Sequence, residues 1–234
     1  MPHAMQVHQT GGPEVLNWTA IDVGEPGSGQ VRLRQAAAGL NYIDVYHRTG
    51  YYPQPLPFIP SLEGAGTVEA AALGAAVIGT VSTEAKAELA HAHGCKHTIL
   101  HTKQDFVAEV SRISRGEKLP VVFDSVGKDT FLHSLDCLRP RGLMVTFGQA
   151  SGPIDPIAPV LLSQKGSLFL TRPILFHYIQ RRDALEASAN ELFEGVASGK
   201  VRIKVNQCFA LKDAADAHKA LEARATSGST ILSI

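Results

Sequence analysis

The sequence predicts an α/β protein in which a β-rich segment precedes an incomplete parallel sheet. From Ala75 onward, short apolar strands alternate with helical segments, a pattern typical of parallel sheets. Residues 121–148 read as a strand, a glycine turn, a helix and a second strand, which is half of a dinucleotide-binding sheet. The other half lacks its marker, because no glycine-rich loop of the form G-x-G-x-x-G stands between a strand and a helix in the 234 residues.

Each element is predicted from its own pattern of apolar residues and turn signals. The first 72 residues are rich in Gly, Pro and short apolar alternations, which favours β structure and loops. Gly94 and Gly116 end the first two helices of the alternating part. The predicted strands are residues 76–81, 97–100, 121–124, 143–147 and 167–171. The predicted helices are residues 83–93, 106–115, 129–138, 178–198 and 213–225.

Composition narrows the function classes. The 22 basic and 22 acidic side chains give no net charge, so nothing favours a nucleic acid or a membrane surface, and a small-molecule partner is expected. The N-terminus lacks the pattern of a signal peptide and no apolar run is long enough to span a bilayer, which predicts a cytoplasmic protein. The three cysteines have no paired spacing, and we interpret them as buried thiols of a reducing compartment.

Several motifs carry a resemblance to a known family: G-L-N-Y-I-D-V-Y from Gly39, T-V-S-T-E-A-K from Thr80, D-S-V-G from Asp124 and S-Q-K-G-S-L-F-L-T-R-P from Ser163. The most specific is L-D-C-L-R-P-R-G-L-M-V-T-F-G-Q, from Leu135. With these motifs the chain resembles the NADPH:quinone oxidoreductases, the zinc-free, zeta-crystallin-like branch of the medium-chain dehydrogenases. The resemblance implies a truncated GroES-like β domain at residues 1–72 and an incomplete Rossmann-type parallel sheet at residues 73–177. Helices and a strand at residues 178–234 would complete the two-domain unit.

The resemblance also locates the missing part. In the family, a long internal segment follows the position of residues 70–72, and it carries the first Rossmann strand and the glycine loop. In the usual strand order 3-2-1-4-5-6, its loss leaves a gap between strands two and four. Three arrangements are open: residues 66–70 pair antiparallel with residues 76–81, strand two pairs directly with strand four, or a second subunit supplies the strand. The sequence also leaves open whether the gap is a natural deletion, an engineered one or an omission.

The end of the predicted strand 76–81 favours NADPH over NADH. An enzyme that uses NADH places an acidic residue there for the ribose hydroxyls, whereas this chain has Ser82 and, one helical turn further on, Lys86. Ser82 is expected to cap the helix and donate to a 2′-phosphate, and Lys86 to face the same anion. The alternative is a simple cap and a solvated lysine. The stretch G-A-G-T-V-E at residues 64–69 is interpreted as a structural strand with a tight turn rather than a phosphate loop.

The remaining site residues come from the resemblance. It places Asn41 near the nicotinamide and Tyr46 and Tyr52 at the acceptor, with Tyr46 to hydrogen-bond a quinone oxygen. Taken alone, each of the three is typical of a structural residue in a turn or a loop. His101 stands where the family has a cofactor-site tyrosine, and Arg224 matches a family arginine near the cofactor. At the carboxyl ends of two strands, where open sheets bind ligands, the expected nicotinamide-side contacts are Ser125, Phe147, Gly148 and Gln149. For Phe147, a core position is the alternative.

No metal is expected. The positions that match the zinc ligands of related dehydrogenases are Asn41 and residues 61–63, and Gly94 interrupts the run of histidines from His91 to His97. The resemblance therefore implies hydride transfer from NADPH to a quinone, an enone or a similar activated carbonyl. It also implies a homodimer formed through the edge strand of residues 166–172. The alternative is a catalytically impaired deletion form that acts at most as a weak nucleotide-binding or interaction module.

Overall fold

The computed structural model describes residues 2–25, 37–60, 75–201 and 203–234. It divides into two compact units, the first made of residues 1–67 and 203–234 and the second of residues 68–202. The first unit is therefore discontinuous in sequence, because the C-terminal segment returns to the N-terminal one. The stretch at residues 64–69, interpreted above as a structural strand, lies outside the described residues.

Strands and helices are numbered in chain order through the described ranges. The strands are β1 (His3–Val7), β2 (Leu16–Ala20), β3 (Ala37–Leu40), β4 (Ile78–Val81), β5 (His97–Leu100), β6 (Leu119–Asp124), β7 (Leu138–Thr146), β8 (Phe169–Thr171), β9 (Val205–Ala210) and β10 (Ser229–Ser233). The helices are α1 (Tyr42–Arg48), α2 (Glu84–Ala92), α3 (Phe106–Ile113), α4 (Phe131–Asp136), α5 (Val160–Gln164), α6 (Leu175–Tyr178), α7 (Arg182–Ala197) and α8 (Ala214–Glu222). None of these helices is both long enough and apolar enough to cross a membrane.

Two small sheets build the first unit. β1 pairs antiparallel with β2, while β10 pairs antiparallel with β3 on one side and in parallel with β9 on the other. Alternate side chains of these strands meet helix α8 in one apolar core, as expected for sheets with one buried face. Its buried members are Met5, Val7, Val15, Leu16, Leu40, Ala214, Ala217 and Leu232.

Helix α1 corrects the prediction that residues 1–72 are β structure and loops. Asn41 is extended, with φ −128° and ψ 159°, and caps the helix, where its backbone N–H donates to the Asp44 carboxylate at 2.9 Å. Gly50 follows the C-cap Thr49, and its φ of +79° is typical of the residue after a helix terminus and favours glycine. With only seven residues, α1 is too short to show a helical period in the sequence.

The second unit contains the predicted alternation of strands and helices. β4 pairs in parallel with β5, and β7 pairs in parallel with both β6 and β8. Helices α2, α3 and α4 confirm the first three helices predicted for this part. Two boundaries were wrong. β7 begins at Leu138 rather than 143, and the long helix begins at Arg182 rather than 178, with the short α6 before it.

Among the described residues, the two parallel sheets of the second unit are not joined by strand pairing. Among the described residues β4 pairs only with β5, and β6 only with β7, so direct pairing of strand two with strand four is wrong. The alternative that involves residues 66–70 lies outside the described residues. A shared core still joins the two sheets through α3: Ile99, Val110 and Cys137 are buried there, packed by Ile78, Phe106, Val107, Ile113, Leu119 and Val122.

Candidate functional site

The carboxyl end of β6 is fixed by the carboxylate of Asp124, which is 5% exposed. Its Oδ1 accepts the backbone N–H groups of Val126 at 2.8 Å and Gly127 at 3.0 Å. Its Oδ2 accepts the hydroxyls of Thr130 at 2.7 Å and Ser134 at 2.8 Å, both from the segment of helix α4. Four donors satisfy the buried charge, as a buried carboxylate requires. They hold the turn that carries Ser125 in one conformation.

This turn is locked against the residues that follow β7. A Cβ atom added at Gly148 would lie 2.5 Å from the carbonyl oxygen of Ser125, and one at Gly127 would lie 2.8 Å from the Cα of Gln149. Only glycine allows so close an approach of two backbones. The carbonyl of Ser125 also accepts the N–H of Ala150 at 3.1 Å. The structure thus brings Ser125, Gly148 and Gln149, the expected nicotinamide-side contacts, together at adjacent strand ends.

Two side chains flank this locked turn. Phe147 is 54% exposed and meets Phe123 edge to face, with ring centroids 6.5 Å apart, so it is not a core residue. Arg172, which directly follows β8, directs its guanidinium towards the hydroxyl of Thr146 and the carbonyl of Gly148, each at 3.4 Å. The guanidinium thereby adds a positive charge beside the backbone of Gly148. Sequence reasoning missed this role of Arg172.

The carboxyl ends of β4 and β5 carry the other predicted cofactor residues. The prediction that Ser82 caps α2 is wrong, because Thr83 is the cap and its hydroxyl accepts the N–H of Lys86 at 3.3 Å. Ser82 is half-buried just before the cap, and its carbonyl accepts the hydroxyl of Thr102 at 3.2 Å. Lys86 lies in the first turn of α2, and His101 is exposed directly after β5. These groups share one sheet edge, at the carboxyl ends of β4 and β5.

His91 and His93, at the end of α2, hydrogen-bond to nearby groups of their own segment. His91 places Nδ1 2.8 Å from the carbonyl of Cys95 and Nε2 3.0 Å from the hydroxyl of Thr98. His93 places Nδ1 2.8 Å from the carbonyl of Leu89. Within the described ranges no three His, Cys, Asp or Glu side chains are grouped so that they could hold a metal ion.

In the first unit, helix α1 presents the predicted acceptor residues. Tyr46 and Tyr52 meet edge to face with ring centroids 5.4 Å apart, and the N–H of Tyr52 donates to the carbonyl of Tyr46 at 3.1 Å. Asn41 stands at the N-terminus of the same helix. His47 contacts Tyr52 from the buried side, and burial lowers its pKa, which favours the neutral imidazole. Asn41, predicted to lie near the nicotinamide, thus caps the short helix on which Tyr46 lies, and Tyr52, predicted with Tyr46 for the acceptor, lies in the turn after that helix.

A buried arginine anchors this helix. Arg48 is fully buried, donates to the carbonyl of Gly11 at 2.6 Å and forms an ion pair with Glu222 of α8. Burial, together with the Arg48 charge, lowers the pKa of His218 to about 4, so its imidazole is neutral at ordinary pH. Arg224 lies just after α8 in the left-handed region, with φ 56°, and is exposed. It belongs to the first unit, whereas the other predicted cofactor residues belong to the second.

Some of the missed residues had a signal in the sequence and others had none. Thr130 and Ser134 are four residues apart, which places them on the same side of α4 towards Asp124. Arg48 and Glu222 are 174 residues apart, and no local pattern joins them.

Comparison with known proteins identifies the family. The model of the zinc-binding dehydrogenases matches residues 93–232, and that of the alcohol dehydrogenase GroES-like domain matches residues 27–99. The sequence is 36% identical to a quinone oxidoreductase of Pseudomonas aeruginosa and 35% identical to a 2-haloacrylate reductase of Burkholderia sp, over 99% of each chain in both cases. The chain belongs to the quinone oxidoreductase branch of the medium-chain dehydrogenases, and the resemblance seen in its motifs is confirmed.

Solved structures support the same family and fold. The crystal structure of Escherichia coli quinone oxidoreductase complexed with NADPH is 32% identical, with a TM-score of 0.92 over 100% of both chains. The quinone oxidoreductase of Pseudomonas syringae pv. Tomato DC3000 is 33% identical, with the same TM-score and coverage. The predicted combination of a GroES-like part and a Rossmann-type part is confirmed. The alignment with the P. aeruginosa relative runs over 323 positions, more than the 234 residues of this chain, so part of that relative has no counterpart here.

The zinc in the family's description finds no fitting donor set in the described part of the chain. Asn41 offers an amide where a zinc ligand would have to be a thiolate, imidazole or carboxylate, and it caps α1. Residues 61–63, the other matching positions, lie outside the described residues.

Proposed function

We propose that this protein is an NADPH-dependent oxidoreductase that reduces a quinone or a similar activated carbonyl. One observation supports it above the others: the turn at Ser125, fixed by Asp124 and locked against Gly148, stands at the carboxyl ends of adjacent parallel strands. Open α/β sheets bind their ligands at that edge. The E. coli relative of known structure was solved in complex with NADPH.

The chain's own residues would bind and orient the reactants. NADPH, when bound, supplies a hydride, which together with a proton from water converts the quinone to a hydroquinone. Ser125, Gly148 and Gln149 would line the nicotinamide, and Phe147 would shield one side of it from water. Tyr46 would donate its hydroxyl to a quinone oxygen, with Tyr52 and Asn41 beside it. Arg224 and His101 would complete the cofactor contacts, and the protein's contribution would be orientation rather than a nucleophile or a metal.

Selectivity for NADPH over NADH is assigned to Ser82 and Lys86. The residue directly after β4 is Ser82 rather than an acid, and Lys86 lies at the positive N-terminal end of α2. Replacing Lys86 with Ala should weaken NADPH more than NADH in calorimetric titrations. Lys103→Ala is the control, since it removes the same kind of side chain from a residue that is 67% exposed and paired with Glu84 at 3.5 Å. Equal loss for both nucleotides, or the same loss in the control, would refute the assignment.

The reductase proposal is tested by acceptor-dependent oxidation of NADPH. With purified 234-residue protein and a series of quinones and enones, we expect oxidation above the rate without protein, and slower than that of the P. aeruginosa relative. Tyr46→Phe should lower kcat with little change in the affinity for NADPH, because it removes only a hydroxyl near the acceptor. Absence of acceptor-dependent oxidation with every quinone and enone tried would refute the proposal.

The gap between β4 and β6 favours a second candidate, a catalytically impaired form that binds nucleotide weakly or serves as an interaction module. Loss of the glycine loop removes several charge-assisted hydrogen bonds to the pyrophosphate, each worth roughly 1.5 to 3 kcal/mol. Weak nucleotide binding without turnover would support this candidate, and turnover near that of the relative would exclude it.

We further propose a homodimer and a cytoplasmic location. Phe169 and Leu170 of the edge strand β8 are 57% and 38% exposed, which is typical of an apolar edge that pairs with another chain. Sedimentation showing only monomer at micromolar concentration would rule the dimer out.

A further inference from the structure

Four tyrosines form one aromatic cluster at the end of helix α1. The ring centroid of Tyr46 lies 5.3 Å from that of Tyr42, 5.5 Å from that of Tyr51 and 5.4 Å from that of Tyr52. Tyr51 and Tyr52 are themselves 5.2 Å apart. All four distances fall in the range of favourable ring contacts. The cluster therefore joins the two tyrosines of the proposed acceptor site to two further rings, Tyr42 and Tyr51.

The end of α1 fixes Tyr51 in this position. The N–H groups of Thr49 and Gly50 donate to the carbonyls of Val45 and His47 at 2.9 and 3.0 Å, which closes the last turn of the helix. Gly50 then reverses the chain with φ +79°, and a Cβ atom added there would lie 2.8 Å from the Cγ2 of Thr10. Tyr51 is the first residue after the reversal, so the chain direction at Tyr51 follows from the conformation of Gly50 after the helix terminus.

Tyr51 is the most exposed ring of the cluster. It is 46% exposed, whereas Tyr42, Tyr46 and Tyr52 are half-buried. Its plane makes angles of 47° and 68° with the rings of Tyr46 and Tyr52, so the three rings are tilted or edge-on to one another rather than stacked flat. Such an arrangement offers ring edges and faces to a further flat ring, which prefers the same geometries.

We propose that Tyr51 is a specificity-determining residue that extends the acceptor site and favours fused-ring over single-ring acceptors. The inference rests on the proposed reductase function and deepens it. Sequence identity alone does not choose the acceptor, because a quinone oxidoreductase and a 2-haloacrylate reductase match the chain about equally well. In the proposed site a single ring or an acrylate would contact Tyr46 and Tyr52, and an acceptor with further rings would extend over the more exposed ring of Tyr51.

Direct binding of two probes tests this without any turnover. Anthraquinone-2-sulfonate carries fused rings, and benzenesulfonate is a single ring with the same charge. Calorimetric titration of the 234-residue protein should show tighter binding of the fused-ring probe. Tyr51→Leu should weaken that probe about two- to tenfold, as expected for loss of one aromatic pair, and leave the single-ring probe unchanged. Tyr51→Phe should bind like the natural protein, and Tyr178→Leu, at a 65% exposed tyrosine of the second unit, is the matched control.

The outcomes separate this inference from the reductase proposal. Equal affinity for both probes, no binding of the fused-ring probe, or a Tyr51→Leu variant that keeps the natural preference would overturn the role of Tyr51. Weaker binding of the fused-ring probe to Tyr51→Phe would overturn that role too, since it would show that an aromatic ring at this position is not enough to bind the probe. If ring-selective binding is found but NADPH is never oxidised, the reductase proposal fails while Tyr51 keeps its role in binding.

Discussion

The two parallel sheets of the second unit differ in how firmly their carboxyl ends are built. At the end of β6, a buried carboxylate with four donors and two glycine contacts fix the turn before any ligand arrives. At the end of β4, the side chain of the cap Thr83 accepts the N–H of Lys86 at 3.3 Å, and Ser82 and Lys86 are half-buried. In the proposed function, the nicotinamide side of the site is therefore the more firmly built, and the phosphate side is the one that the family resemblance expects to need a further strand and glycine loop.

The largest expected effect comes from restoring that part. Inserting after Ala72 the segment that the P. aeruginosa relative carries there should tighten NADPH binding by about a hundredfold or more, because it returns several hydrogen bonds to the pyrophosphate. Calorimetric titration measures the change, and a Gly/Ser insertion of equal length is the control. Unchanged affinity would show that the existing chain already supplies the phosphate site.

A change at the well-built end should affect stability most. Asp124→Ala removes the acceptor of two N–H groups, of the buried Ser134 hydroxyl and of the half-buried Thr130 hydroxyl, and should cost about 3 kcal/mol or more in the free energy of unfolding. Asp129→Ala, at an exposed residue nearby, should cost less than about 0.5 kcal/mol. Urea denaturation of both variants measures the difference. Similar small losses would mean that the Asp124 network does not hold the turn.

Glycine-to-alanine changes in the two sheets sharpen the comparison. In Gly148→Ala the new Cβ meets the backbone of Ser125 at 2.5 Å, so the strand ends must separate, at a cost of about 1 to 3 kcal/mol. In Gly79→Ala, on β4, the nearest atom is the Sγ of Cys95 at 3.1 Å, a side-chain atom that can move. Thermal denaturation should therefore show a larger loss for Gly148→Ala. The reverse order would contradict the rigidity assigned to the β6–β7 end.

The burial of Cys137 makes the free energy of unfolding depend on pH. Burial, mainly, raises the pKa of the Cys137 thiol from its ordinary value of 9.0 to about 11. The stability that the buried, neutral Cys137 thiol contributes is fully present below pH 9. It is lost as pH rises towards 11, because in that range the thiol ionises in the unfolded chain but not in the folded one. Cys137→Ala should flatten this part of the stability curve. Exposed Cys208 and half-buried Cys95 should react with iodoacetamide at pH 8, and rapid labelling of Cys137 in the folded protein would contradict its burial.

The sequence predicted the alternating part well and the first unit poorly, for physical reasons. Strands such as β5 and helices such as α3 carry strong local signals, an apolar run or an Asp105 cap, and both were found. Helix α1 was missed because seven residues show no period. The interpretation of all three cysteines as buried thiols was wrong for Cys208, since exposure depends on neighbours far along the chain.

The candidate site divides in the same way. The positions of Ser125 and Gly148 at strand ends were predicted, because the strands themselves show in the sequence. Their contact follows from the pairing of β6 with β7. The cap was misplaced by one residue, from Thr83 to Ser82, since both hydroxyls satisfy the same pattern. Arg172 was missed because its contact with Gly148 joins residues 24 apart that only the sheet brings together.

Titration of the purified 234-residue protein with NADPH and then NADH tests the central claim most directly. We expect NADPH to bind weakly but at least about tenfold more tightly than NADH, because the end of β4 favours a 2′-phosphate while the pyrophosphate lacks its loop. Equal affinity for the two nucleotides would contradict the assignment of Ser82 and Lys86. Absence of binding by either nucleotide would mean that membership in the quinone oxidoreductase branch describes the fold and ancestry of this chain, and not its activity.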